Sequence, residues 1–106
     1  LATALDSAHR VYVDALKPSV TLETAIYNAV AGDFVDMTAG AADKTVTLPA
    51  SPTANDVIDV CKADSGAGNV IISGNGNTIN GDTSKTITSQ YTNLTLIYTG
   101  SEWRIR

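Results

Sequence analysis

At 106 residues with a net charge of −4 and a pI near 4.6, the chain fits one domain plus a short appendage and excludes two independent cores. Its seven Lys and Arg are scattered, so the clustered basic footprint of a nucleic-acid binder is missing. Only 6% of residues are aromatic and 17% charged, so each chain's private core is thin; a lone Cys61 and no Cys/His cluster leave oligomerisation as the route to a sufficient one.

Residues 1–17 carry neither Gly nor Pro. Apolar side chains recur at Leu1, Leu5, Ala8, Tyr12 and Ala15, a spacing of 4, 3, 4 and 3 that predicts a helix with a heptad seam. Pro18 stops it near Lys17. A helix this short is marginal alone and needs partners, either parallel copies of itself or its own domain. The seam leaves two, three or four strands open, because Ala and Tyr share its core positions. The expected division is a helical coiled-coil stalk end over residues 1–17 and a β domain over 18–106.

From Pro18 onward, β-branched stretches alternate with Gly, Pro, Asn, Asp and Ser, which predicts a mainly β fold. Nine strands are expected: Thr24 to Val30, Phe34 to Thr38, Lys44 to Leu48, Val57 to Lys62, Val70 to Ser73, Thr78 to Asn80, Lys85 to Thr88, Leu94 to Thr99 and Glu102 to Arg106. Leu94, Leu96 and Tyr98 alternate with Thr95, Ile97 and Thr99, and Trp103 and Ile105 with Arg104 and Arg106, so one face of each is buried. Asn80-Gly81-Asp82 signals a tight turn and Gly74 to Asn77 a sharp corner. No apolar pattern recurs at a period of 20 to 50 residues, which disfavours a solenoid. The longest apolar runs, such as Val70-Ile71-Ile72, fall far short of the roughly 18 residues of a membrane helix. A start at Leu1 without Met reads as a fragment of a longer chain.

No residue set supports catalysis, and no cofactor or metal is expected. His9 falls in the helical segment without a nucleophile, Ser73 lacks a Gly-x-Ser-x-Gly elbow, and Cys61 reads as a small buried hydrophobe. Asp33, Asp36, Asp56, Asp59, Asp64 and Asp82 fall at turns and strand edges, where bonds to nearby backbone amides account for most of them. Gly74-x-Gly76 lacks the third glycine and helix of a nucleotide loop. Arg104 and Arg106 share one side of the last strand and mark an anion or interface contact, against the alternative of two solvated edge charges.

Asn69 to Asp82 (NVIISGNGNTINGD), Thr86-Ile87 and the stretch from Leu94 to Trp103 (LTLIYTGSEW) resemble a C-terminal module of phage tail fibres and tailspikes. Val46 to Ala50 (VTLPA) resembles its opening strand, so the likeness spans roughly residues 44–105. A helical stalk ending in a β head is similar to the knob of the tail needle in short-tailed phages. That resemblance implies a parallel homotrimer with a jelly-roll head and loops around Gly40, Ser65 and Gly74 facing outward. It also implies a place at the distal tip of the virion tail and contact with lipopolysaccharide, protein or glycan of the host outer membrane. Other tail proteins would join through upstream residues. The alternative is a trimerisation or carbohydrate-binding module of a capsule-degrading tailspike.

Overall fold

The computed structural model describes residues 19–106. The expected stalk, its boundary with the β domain and the seam residues Leu1, Leu5, Ala8, Tyr12 and Ala15 lie outside the described residues.

Among the described residues nine strands follow one another: β1 (Ser19–Glu23), β2 (Tyr27–Asn28), β3 (Asp33–Met37), β4 (Lys44–Thr47), β5 (Val57–Lys62), β6 (Val70–Ser73), β7 (Ser84–Ile87), β8 (Asn93–Tyr98) and β9 (Trp103–Ile105). The protein is mainly β, as expected. They form a five-stranded sheet in the order β1-β3-β5-β8-β9 and a four-stranded sheet in the order β2-β4-β6-β7. β1, β3 and β5 run parallel, as do β2, β4 and β6, while β7, β8 and β9 join antiparallel.

This topology corrects the jelly-roll expectation. A jelly roll is built of antiparallel Greek keys, whereas here the chain passes from one sheet to the other and returns parallel to its previous strand. The crossover between parallel strands, usually a helix, is a strand of the opposite sheet. The first six strands therefore wind as three coils, and β7 to β9 close the far end. The disfavoured solenoid reading is corrected with it: Val20 pairs with Phe34, 14 positions on, and Phe34 with Asp59, 25 positions on. Unequal coils leave no fixed period for a repeat search to find.

Both sheets contribute to one apolar core. Val35, Met37, Ile58, Val60 and Leu96 enter from the five-stranded sheet and Val46, Val70, Ile72 and Ile87 from the other. Trp103 is fully buried beneath them and meets Tyr98 edge-on, ring centroids 5.3 Å apart. The expected alternations hold, with Leu96 and Trp103 buried and Thr99 and Arg104 exposed.

Two tight turns lie where the sequence places them. Asn80 and Gly81 take φ of 49° and 86°, and Ile79 and Asp82 exchange backbone bonds of 2.6 and 3.0 Å across them. This is the positive-φ pair that Asn-Gly accommodates. Asn75 and Gly76 make the second corner, closed by a 3.1 Å bond from the Asn77 amide to the Gly74 carbonyl. The stretch expected as a strand from Thr24 to Val30 is broken, because β1 ends at Glu23 and only Tyr27–Asn28 pair beyond it. Thr78 to Asn80 is likewise reduced to single bridges from Ile79 to Asp82 and Trp103.

Candidate interaction surface

Strand register assigns each side chain to a face. In the five-stranded sheet, Val35, Met37, Val60 and Leu96 face the core, so their neighbours in sequence face outward. Across the outer face run two rows: Val20, Phe34, Asp59 and Thr95, then Leu22, Asp36, Cys61 and Asn93. Val57, Ile97 and Arg104 form a third, and the Arg106 amide donates to the Thr95 carbonyl at 3.0 Å, placing Arg106 at that edge.

The two sheets differ outside. The outer face of the four-stranded sheet carries Thr45, Thr47, Ser73, Ser84 and Thr86, with Ile71 its one large apolar side chain. The five-stranded sheet instead shows apolar side chains at β1, carboxylates on β3 and β5, and arginines at β9. Val20 is 66% exposed and Leu22 76%. Ile26 and Val30 of the same coil are exposed too, so the first coil carries four of the five exposed large hydrophobic residues among those described.

β1 is also an open edge: among the described residues only β3 pairs with it. The Glu23 carbonyl accepts from the Thr38 amide at 2.8 Å. In a parallel ladder, alternate residues direct their backbone groups to the same neighbour, so Thr21 and Glu23 bond toward β3. Val20 and Leu22 turn their amides and carbonyls to the open side. Apolar side chains and unpaired backbone thus coincide at two residues.

Arg104 is exposed and Nη2 lies 2.8 Å from Glu102 Oε2. Glu102 in turn accepts from the Thr78 hydroxyl at 2.8 Å and the Gly81 amide at 2.9 Å, which hold its carboxyl below the usual range. Arg106 is exposed, and no described carboxylate lies within ion-pair distance of it. The two arginines share the outer face, with Trp103 and Ile105 behind them.

The aspartates divide by neighbourhood. Asp33 accepts from Tyr27 Oη at 2.8 Å and the Val30 amide at 2.9 Å, and Asp56 from the Thr53 amide at 2.8 Å. Burial, followed by the Asp33 carboxylate, pushes the Tyr27 phenol up. Asp82 pairs with Lys85 at 2.5 Å. Asp64 takes the amides of Ala39, Gly40 and Gly66 together with Lys62 Nζ. Asp36 and Asp59 have no ion-pair partner among the described residues, so turn chemistry leaves them unexplained. Burial, and then the Asp36 carboxylate, raises the Cys61 thiol.

Of the loops expected to face outward, Ser65 is exposed, Gly40 half-buried and Gly74 buried. The Gly40 and Gly66 loops are tied to each other through Asp64, whose partners extend beyond the turn chemistry expected of it. The β1 surface lies outside the expected strands, although the Val20-Thr21-Leu22 alternation after Pro18 signals it. Among the described residues no group of three or more His, Cys, Asp or Glu is arranged to hold a metal ion. Neither the protein-family models nor the curated proteins compared with the chain match it.

Proposed function

We propose that this chain is the non-enzymatic, trimeric tip of a phage tail needle or tail fibre, set at the distal end of the virion tail. It contacts the host outer membrane, takes part in attachment and envelope penetration during genome delivery, and joins other tail proteins through upstream residues. The observation that supports this most is the concentration of exposed apolar side chains in the first coil, from Val20 to Val30. Apolar side chains gathered in this way on one exposed segment mark a surface that another molecule or segment covers. The motifs that resemble tail-fibre modules fall on β4, the last coil and its closing strands, where tight turns and buried Trp103 favour a rigid scaffold.

The test is the mass of the 106-residue chain by light scattering, followed by co-sedimentation with outer-membrane vesicles of Gram-negative bacteria. A mass of three chains that pellets with vesicles of a susceptible strain supports the reading. A monomer that ignores every strain of a broad panel removes it.

The parallel coils with an open edge at β1 favour a second reading, a trimerisation or carbohydrate-binding module that continues the β-helix of a tailspike depolymerase. Several hundred β-helical residues upstream would support it, whereas long continuous heptads there would favour the needle.

A further inference from the structure

We infer that copies of this chain meet head to tail through the outer face of the five-stranded sheet, the β1 end of one copy seated on the β9 end of the next. This inference rests on the trimeric reading above and adds which surfaces touch.

The two ends of the face are complementary. The β1 end offers Val20 and Leu22, with Asp36 beside Leu22 in register. The β9 end offers Ile97, Arg104 and Arg106. Four strand spacings of about 4.8 Å put β1 and β9 about 19 Å apart, so the two ends cannot satisfy each other within one chain. Between copies they do: apolar side chains cover apolar side chains, and Arg106 of one copy reaches Asp36 of the next. Arg104 spends only part of its five-donor guanidinium on Glu102.

Symmetry and edge protection agree with this arrangement. A contact between two different surfaces is heterologous and closes into a ring when the rotation allows, as a threefold assembly requires. Sheet edges exposed to water normally carry Lys, Pro or a bulge against unwanted pairing. β1 reads Ser-Val-Thr-Leu-Glu, and its one charge, Glu23, lies in register with core-facing Met37. Among the described residues nothing else covers this edge, and a neighbouring copy seated on the β1 end shields it. The Thr- and Ser-rich face of the other sheet has neither apolar continuity nor charge, and stays in solvent.

The experiment is light scattering on the full chain over a dilution series, for the wild type, Leu22→Asp, Asp36→Arg, Arg106→Glu and the Asp36→Arg/Arg106→Glu pair. Trp103 emission verifies folding. Leu22 is so exposed that its substitution spares the core. The expected result is a wild-type trimer whose dissociation midpoint rises about tenfold or more in each single variant, with at least partial recovery in the double variant. A trimer that dissociates at the wild-type concentration in every variant, or a charge swap that recovers nothing, overturns the head-to-tail contact and leaves the trimer standing. A wild-type monomer overturns both.

Discussion

Lys62 Nζ lies 3.1 Å from Asp64 Oδ1, with the lysine side chain 1% exposed, and this pair ties two coils together. The ammonium also donates to the carbonyls of Asp64 at 2.7 Å and Gly66 at 3.1 Å. Asp64 reaches back to the Ala39 and Gly40 amides of the previous coil. A lysine in the core costs desolvation unless each donor is met, and here three acceptors meet it.

Lys62→Met keeps most of the volume but strands the carbonyls and Asp64. It should lower stability by about 2 to 4 kcal/mol, read as a drop in the urea midpoint of the folded chain. An unchanged midpoint would mean that the carbonyls find water instead.

Stability should fall on acidification through Asp64. Its carboxyl is held at about 2, below the ordinary 3.8, first by the Gly40 amide and then by the Ala39 amide, Lys62 and the Gly66 amide. Because the folded state holds the proton less tightly than the unfolded chain, this contribution is complete above 3.8 and is lost as pH falls toward 2. Urea midpoints between about pH 5 and pH 2 should decline less steeply in Asp64→Asn than in the wild type. A residual slope should remain, since Glu102 is also lowered, first by the Thr78 hydroxyl. Equal slopes in the two proteins would assign acid sensitivity elsewhere.

Trp103 is fully buried while its Nε1 has no hydrogen-bond partner among the described residues. Truncation to Ala should cost about 3 to 5 kcal/mol from the cavity left behind. Trp103→Phe should cost less than about 1.5 kcal/mol, because removing an unsatisfied N–H offsets part of the lost contact. Thermal melts of the two variants provide the check, and equal costs would contradict the orphaned N–H.

Gly68 and Gly74 are fixed by proximity to backbone. A Cβ on Gly68 would collide with the Ala42 carbonyl of the preceding coil, and one on Gly74 with the Asn77 carbonyl inside its corner. Backbone cannot swing aside as a flexible side chain does, so Ala at either position should cost about 1 to 3 kcal/mol. Each variant should melt well below the wild type; a wild-type Tm would show that the coils separate locally at Gly68, or that the corner re-forms around Gly74.

Much of the local structure was legible because its causes are local. β5 (Val57–Lys62) and β6 (Val70–Ser73) lie within the expected bounds, since β-branched runs bounded by turn residues stand out in sequence. The Asn80-Gly81 turn follows from the conformational tolerance of those two residues alone. Of the candidate surface, only Arg104 and Arg106 were legible, through alternation with Trp103 and Ile105. Val20 and Leu22 carry the same period-2 signal, but the expected strand begins at Thr24, one residue past the end of β1.

By itself, then, the sequence determined a mainly β chain, its turns, and which side of most strands is apolar. Only the tertiary structure decided that β1, β3 and β5 pair in parallel, because side-chain alternation has the same period of two in parallel and antiparallel sheets. It also separated Asp64, ringed by amides from loops far apart in sequence, from Asp36 and Asp59 on the outer face. The two kinds of aspartate look alike in the chain, and their roles depend on neighbours that coils of unequal length bring to them.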